Sequence, residues 1–168
     1  MIKNYDEPIY IDKQGENLAD EVVQNEIKNI LLTESFAVLS TQGEGQPFSS
    51  LISYACSENL KKIVFATPLG TRKVDLISRC NKVSVMVDTR ARNPESINEI
   101  NAITIIGEAK IIEDNNEKLS WENLLIKTHP YLETFVKAST TGIVAVDVEK
   151  YFYVRKFQEV IEWNPNQD

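Results

Sequence analysis

A chain of 168 residues, 42% of them hydrophobic and 26% charged, has the length and composition of one globular domain, which argues against wholesale disorder. Its formal net charge of -7 disfavours nucleic-acid binding, because phosphate contacts require a clustered basic surface. No apolar stretch has the length of a membrane span or a signal-peptide core, and two cysteines are too few for a disulfide framework. We therefore expect a single domain over residues 1–168, located in the cytoplasm, with neither nucleic acid nor membrane as a partner.

The chain begins with a polar segment and continues into a helical pattern. Residues 1–17 are polar and include Pro8 and Gly15, which predicts an extended N-terminal arm. From Leu18 onwards the apolar residues recur at helical spacing. This spacing predicts an amphipathic helix that ends near Glu34.

Strand patterns dominate the rest of the chain. The predicted strands cover residues 36–41, 48–56, 61–67, 83–88, 102–112, 143–148 and 151–159. Helical spacing predicts helices over residues 71–80 and about 117–127, and a further short helix begins at Pro130. Gly107 interrupts the fifth strand and indicates a bulge or a close backbone approach. Seven strands with mostly hairpin-length connections favour an antiparallel barrel over a parallel βαβ sheet.

Residues 65–77 (FATPLGTRKVDLI) run from a strand through a turn into a helix. Thr71 is suited to the N-cap position, so that Arg72 and Lys73 fall in the first helical turn. Cations are unfavourable there, by ~1 kcal/mol or less each, because the N-terminal end of a helix carries partial positive charge. Two adjacent cations are explained if a phosphate binds at the helix end. The alternative is a solvated face with Asp75 as a local partner, and the local physics does not decide between them.

This segment and its neighbouring strands resemble the pyridoxamine 5'-phosphate oxidase-like FMN-binding split-barrel family. The motifs that carry the resemblance are the Thr-Arg-Lys turn after a strand, the Val-rich strand KVSVMVD that follows it, and the upstream strand PFSSLISYA. The resemblance spans roughly residues 36–112, with a weaker similarity near the C-terminus. It implies a mainly β, α+β fold, namely an antiparallel split β-barrel with peripheral helices.

The resemblance also implies the cofactor, FMN, and the residues that hold it. Arg72 and Lys73 would bind the phosphate, with added hydrogen bonds from the hydroxyls of Thr67 and Thr71. Four residues of one strand would lie beside the flavin ring: Ser49, Ser50, Leu51 and Ile52. For the two serines, the alternative is an ordinary solvent-facing strand pair. A deazaflavin such as F420, or haem, would be the alternative cofactors.

Two departures separate the chain from true pyridoxamine phosphate oxidases. It ends in EVIEWNPNQD and lacks the Arg-x-His element with which those enzymes recognise their substrate. Ala102 stands where they place a flavin-contacting glutamine. The resemblance therefore implies a flavin site without the vitamin B6 substrate site. It further implies a homodimer with flavin sites at the interface and a small-molecule substrate.

The main functional hypothesis is an FMN-dependent oxidoreductase that passes hydride or electrons between a reduced donor and a small-molecule acceptor. In such an enzyme the flavin supplies the chemistry, which is consistent with the lack of an obvious catalytic acid or base in the sequence. The alternatives are a non-catalytic flavin-binding sensor or carrier, a haem-binding split barrel, and a barrel used only for protein contacts.

The remaining polar and aromatic residues suggest structural roles. One histidine and two well-separated cysteines do not form a standard zinc site, so no metal site is expected. His129, the sole histidine, lies between helical segments and is expected to be a surface or capping residue, with axial haem ligation as the alternative. Trp163 either packs on the final strand or approaches a flavin. Three aromatic residues at helical spacing are expected in the core, with stacking on a cofactor as the alternative: Trp121, Tyr131 and Phe135.

Overall fold

The computed structural model describes residues 9–10, 20–92 and 94–166. In this part of the chain nine strands form one curled sheet, in which every pairing is antiparallel except that of β1 with β9. The strands are β1 (Ile9–Tyr10), β2 (Phe36–Gly43), β3 (Gln46–Ser53), β4 (Ala55–Cys56), β5 (Lys62–Pro68), β6 (Lys82–Asp88), β7 (Ala102–Ile111), β8 (Thr141–Arg155) and β9 (Glu159–Trp163). Apart from β1, the predicted N-terminal arm lies outside the described residues, as does Leu18.

Four α-helices pack around this sheet. They are α1 (Asp20–Thr33), α2 (Arg72–Arg79), α3 (Asn115–Thr128) and α4 (Glu133–Val136), with short 3-10 helices at Ile97–Glu99 and Pro130–Leu132. The predicted fold class, a mainly β antiparallel split barrel with peripheral helices, is confirmed. Within the described ranges, no helix is long and apolar enough to cross a membrane.

The strand order decides which elements lie next to one another in the barrel. The sheet runs β1-β9-β8-β7-β6-β2-β3, and β5 pairs with β8 outside this path. The alternating side chains of these strands point into one core that includes Leu39, Phe65 and Tyr151, and α1 covers this core with Ile27 and Leu31. A second cluster, which includes Val64, Leu125 and Val136, lies between α3, α4, β5 and β8. The segment from α3 to α4 (residues 115–136) therefore packs beside the C-terminal end of β5.

The last two predicted strands are in fact one strand of 15 residues, β8. The predicted strands stop at residue 148 and resume at residue 151, on either side of Glu149 and Lys150. Instead, the register with β7 shifts at this point, because Ile106 pairs with Lys150 and Gly107 pairs with Val148. Glu149 is therefore the extra residue of a bulge, and β9 is an additional strand that begins where the predicted last strand ended.

Gly107 shows both of the features predicted for it, a bulge and a close backbone approach. It sits at the register shift, and a Cβ atom at this position would lie 2.3 Å from the carbonyl oxygen of Asp147. The close approach of β7 to β8 at the bulge thus requires a residue without a side chain.

Candidate functional site

The turn between β5 and α2 is held by backbone hydrogen bonds. The Leu69 N–H donates to the carbonyl of Thr140 (2.9 Å), and the Thr71 N–H donates to the carbonyl of Pro68 (3.3 Å). Thr71 is the N-cap residue, as predicted, but its hydroxyl makes no capping hydrogen bond. Instead the Thr71 hydroxyl lies 3.3 Å from the hydroxyl of the buried Thr67.

Arg72 and Lys73 occupy the first turn of α2, where cations are intrinsically unfavourable. Neither forms an ion pair with a described residue, and their backbone N–H groups have no backbone acceptor in the described part of the chain. The guanidinium carbon of Arg72 lies 4.9 Å from the ring centroid of Phe48 on β3. Asp75, the expected local partner, is paired with Arg79 at 2.9 Å instead. The first turn of α2 therefore presents two unpaired cations and free N–H groups.

The β3 residues predicted to lie beside a flavin alternate between two sides of the strand. Ile52 is buried, whereas Ser49 is exposed and Leu51 is 71% exposed. The Ser50 hydroxyl oxygen is buried and has no hydrogen-bond partner among the described residues. Of the two serines, Ser49 therefore faces solvent, as the alternative predicted, whereas Ser50 does not.

A cleft of ≈ 210 Å³ lies between β3, β5, α2 and the segment from α3 to α4. Four of the predicted site residues line it: Leu51, Ile52, Thr67 and Lys73. Thr71 adjoins the cleft through its contact with Thr67, whereas Arg72 lies against Phe48 and the two serines do not line the cleft. The remaining lining residues are Ser53, Ala66 and Pro68, and the helical wall comes from Leu125, Leu132 and Phe135, none of which was predicted as a ligand contact. Their helical spacing predicted a helix, but spacing alone does not say which ligand or strand a helix faces.

His129 is buried, with 3% of its surface exposed, so the predicted surface location is wrong. Its Nε2 atom lies 2.7 Å from the carbonyl oxygen of Tyr54, and its Nδ1 atom lies 3.5 Å from the Tyr131 hydroxyl. Because a carbonyl oxygen only accepts, Nε2 is the donor in the contact with Tyr54. His129 does terminate α3, as the capping prediction required. Its burial follows from its place at the junction of two helices that pack on the sheet.

Two of the three aromatic residues expected in the core differ from that expectation. Tyr131 is 67% exposed and Phe135 is 36% exposed on the rim of the cleft. Trp121 is partly buried and donates its indole N–H to Glu117 (3.2 Å). Trp163 is buried with its ring centroid 5.4 Å from that of Tyr151, so it packs on the final strands.

Burial perturbs the pKa of two titratable groups at the end of β3 and in β4. Burial raises the pKa of the Tyr54 phenol far above its ordinary range, and burial likewise raises the pKa of the Cys56 thiol. Both groups therefore stay protonated at neutral pH. In the described ranges, no three His, Cys, Asp or Glu side chains are placed to hold a metal ion.

The outer face of the sheet is largely apolar next to this cleft. Cross-strand pairing places Leu51, Val38, Met86, Thr104 and Phe152 in one row across five strands. The neighbouring row contains Asp88, Ala102, Val154 and Val160, and Phe36 on β2 is 53% exposed. A depression of ≈ 190 Å³ in this outer face is also lined by Leu51. Leu51 therefore lines both the cleft and the depression in the outer face.

Comparison with known proteins gives one family match and several similar folds. The family model described as pyridoxamine 5'-phosphate oxidase matches residues 23–155. A Clostridium acetobutylicum protein related to general stress protein 26, of the pyridoxinephosphate oxidase family, is 18% identical with a TM-score of 0.65, over 92% of this chain and 96% of that one. No curated protein sequence matches the chain.

Two further solved structures share the fold at lower identity. A heme binding protein from Mycobacterium smegmatis is 13% identical with a TM-score of 0.73, over 83% of this chain. The chain spans only 57% of that protein's length. A FAD-binding protein from Mesorhizobium loti is 14% identical with a TM-score of 0.61, over 76% of this chain and 90% of that one.

Proposed function

The chain belongs to the pyridoxamine 5'-phosphate oxidase family, and on that premise we propose that it binds FMN and acts as an oxidoreductase on a small molecule. The observation that carries this proposal is the pair of cations on the first turn of α2. Arg72 and Lys73 have no ion partner among the described residues, although they occupy the end of the helix where positive charge is unfavourable.

A terminal phosphate matches what this turn offers. It would accept from the free N–H groups of α2, from the guanidinium of Arg72 and from the ammonium of Lys73, while the hydroxyls of Thr67 and Thr71 lie together at the same point. Charge-assisted hydrogen bonds of this kind contribute roughly 1.5–3 kcal/mol each. Two or three of them outweigh the ~1 kcal/mol or less that each cation costs at the helix end.

The β3 side of the cleft fits a flavin ring. Leu51 and Ile52 line the cleft, and Ser49 and Ser50 precede them on the same strand. The Ser50 hydroxyl has no partner within the described residues, and an unsatisfied buried hydroxyl costs roughly 1–3 kcal/mol. A flavin atom would remove that cost only if the Ser50 side chain turned towards the cleft, which it does not line. When bound, the flavin supplies hydride or electron transfer at its ring, and these residues bind it, orient it and exclude water.

We propose a homodimer in which the partner completes each flavin site. The rows of apolar side chains on the outer face include Val38, Met86 and Phe152, and they adjoin the cleft at Leu51. A second copy seated on this face would therefore bury it and contact the cleft at the same time. Contiguous exposed apolar patches of this kind mark interaction surfaces.

Haem is less compatible than flavin with the geometry around His129. Both ring nitrogens of this single histidine already face protein groups, so coordination of an iron would displace either the Tyr54 carbonyl or the Tyr131 hydroxyl. A non-catalytic flavin carrier would share the phosphate site. Turnover with a reduced nicotinamide distinguishes it from an oxidoreductase, because a carrier retains flavin and turns over no donor. In either role we place the protein in the cytoplasm, where Cys56 and Cys80 stay reduced.

The visible absorption spectrum after incubation with FMN and removal of the excess tests the phosphate site. We expect flavin bands in the wild type and their loss in Arg72→Ala/Lys73→Ala. Arg79→Ala is the matched control, because it removes a cation from the last turn of the same helix, where Arg79 pairs with Asp75. A folded wild type that retains no flavin at micromolar FMN would refute the proposal, as would equal losses in Arg79→Ala.

A further inference from the structure

Helix α2 packs along one side of the β2–β3 hairpin. Arg72 and Leu76 are about one helical turn apart, so they lie on the same side of α2. The guanidinium carbon of Arg72 lies 4.9 Å from the ring centroid of Phe48 on β3, and the side chain of Leu76 lies against Gly43 at the end of β2. The hairpin that carries the proposed flavin strand therefore contacts the helix of the proposed phosphate site at two successive turns.

Gly43 permits this approach because it has no side chain. A Cβ atom at this position would lie 2.3 Å from Cδ2 of Leu76, far inside the ordinary contact distance of about 3.5–4.0 Å between carbon atoms. Leu76 is 7% exposed and has buried neighbours in Val74 and Ile77, so its side chain has little free space into which to turn. A side chain at residue 43 would therefore push α2 away from the hairpin.

The position of the hairpin relative to α2 determines how far apart the two halves of the proposed flavin site lie. Gly43 pairs with Gln46, and the β2–β3 ladder continues without interruption from this pair to the far end of β3. Under the proposed function, Arg72 and Lys73 on α2 bind the phosphate, whereas β3 lies beside the ring. In FMN one polyol chain joins the phosphate to the ring, so both ends reach their protein groups only over a limited range of separations.

We propose that the contact between Gly43 and Leu76 sets the separation of the phosphate site from the flavin strand, and thereby the preference of the protein for FMN over riboflavin. This inference rests on the proposed function and concerns the same site. Both are positioning residues, because Leu76 places the first turn of α2 and Gly43 places β3. Hydrogen bonds weaken steeply beyond about 3.2 Å, so a displacement of α2 by about 1 Å is enough to lose phosphate contacts. Contacts between β3 and the ring do not depend on α2.

Riboflavin, which lacks the phosphate, separates the two halves of the site in a binding experiment. FMN and riboflavin are each titrated into the full chain after removal of bound flavin, and binding is followed by the quenching of flavin fluorescence. We expect Gly43→Ala to raise the dissociation constant of FMN at least about tenfold, which corresponds to the loss of about one charge-assisted hydrogen bond. The dissociation constant of riboflavin should change by less than about twofold. At saturation, the absorption bands of bound FMN should keep their wild-type positions.

Two further variants test whether Leu76 transmits the effect. In Gly43→Ala/Leu76→Ala the atom that the new Cβ would meet is gone, so the ratio of the two affinities should return to within about threefold of that in Leu76→Ala. Glu44→Ala is the matched control on the same hairpin. It removes an exposed contact with Arg79 at 3.9 Å, adds no atom beside α2, and should leave both dissociation constants unchanged.

The outcomes distinguish this inference from the proposed function. Unchanged FMN binding in Gly43→Ala, equal weakening of both flavins, or a loss that persists in the double variant would overturn the inference alone. If riboflavin binds the wild type too weakly to titrate, shifted absorption bands of FMN at saturation in Gly43→Ala count in the same way as equal weakening. A wild type that binds no FMN would overturn the proposed function and this inference with it.

Discussion

The Nε2 atom of His129 lies 2.7 Å from the carbonyl oxygen of Tyr54, and this contact joins the helical segment after β7 to the end of β3. Both residues are buried. Tyr54 in turn donates its hydroxyl to the carbonyl of Leu31 near the end of α1 (2.9 Å). One histidine thus links the cleft wall to the strand beside which a flavin is proposed to lie, and through Tyr54 to the first helix.

Replacement of His129 by Ala should destabilise the fold by roughly 1–3 kcal/mol, because it leaves the buried Tyr54 carbonyl without its donor. Urea unfolding followed by circular dichroism measures this. Tyr131→Phe is the matched control, since it removes only the 3.5 Å contact of an exposed residue and should cost less than about 0.5 kcal/mol. Similar losses in both variants would contradict a specific role for the His129–Tyr54 bond.

Replacement of Phe48 by Ala should weaken FMN binding by about two- to fivefold. The Phe48 ring supports the Arg72 guanidinium at 4.9 Å, and an exposed cation–π contact contributes about 0.5–1 kcal/mol. Fluorescence titration of the apoprotein with FMN gives the dissociation constants. Leu119→Ala removes an exposed apolar side chain from α3, outside both the cleft and the outer face, and it provides the comparison. An unchanged FMN affinity in Phe48→Ala would show that Arg72 needs no such support.

Replacement of Gly107 by Ala should destabilise the protein by roughly 1–3 kcal/mol or more, because the new Cβ would meet the Asp147 carbonyl oxygen at 2.3 Å. The backbone there cannot move without disturbing the β7–β8 ladder. Gly70→Ala is the control, since a Cβ atom at that position would have no neighbour within 4 Å. Thermal melts of the two variants should therefore differ clearly, and equal melting temperatures would count against a tight bulge.

Because of Asp147, the unfolding free energy of the wild type should fall more steeply on acidification than that of Asp147→Asn. Burial acts to raise its pKa, but hydrogen bonds from Lys62 and Lys110 outweigh burial, so that the net pKa lies below the ordinary 3.8. A carboxyl group whose pKa is lowered by folding stabilises the protein above its unfolded pKa, and this stability is lost as pH falls through the folded pKa. The advantage of the wild type over Asp147→Asn should thus be present at pH 7, at up to about 1 kcal/mol for so exposed a group.

Unfolding free energies of both proteins between pH 7 and about pH 2.5 check this expectation, since the carboxyl group is protonated at the acid end. The two curves should converge only below about pH 4. A constant difference down to the lowest pH would mean that the asparagine acts through packing and not through the lost charge.

Replacement of Val154 by Arg should convert the proposed dimer towards monomer, with at least about a tenfold increase in the dimer dissociation constant. Val154 pairs with Val160 on the apolar outer face, where a buried unpaired cation is unfavourable. Size-exclusion chromatography with light scattering measures the mass as a function of concentration. Leu119→Arg introduces the same charge on α3, away from this face, and should leave the mass unchanged. A monomeric wild type would refute the dimer.

Several elements were predictable from sequence because their signals are local. The alternation of Val83, Val85 and Val87 identifies β6 without any knowledge of its neighbours, and the apolar spacing of α1 identifies its buried side. The β5–α2 turn was equally visible, because a strand, a turn and two cations follow one another directly in the chain. The bulge at Gly107 is predictable for the same reason, since the lack of a side chain is a property of one position.

The tertiary structure alone decided which distant residues share the cleft and which polar residues are buried. Nothing in the spacing of Leu132 and Phe135 indicates that they face Leu51, because periodicity identifies one side of an element and not the element packed against it. The length of β8 was hidden because the bulge at Glu149 interrupts the apolar pattern without ending the strand. The position of His129 between two helical segments predicts a surface or capping residue; it does cap α3, but its burial and its contact with the Tyr54 carbonyl depend on how those segments pack on the sheet. Sequence thus determined the elements and the two cations that follow the β5–α2 turn, whereas long-range packing brought together the residues that line the cleft.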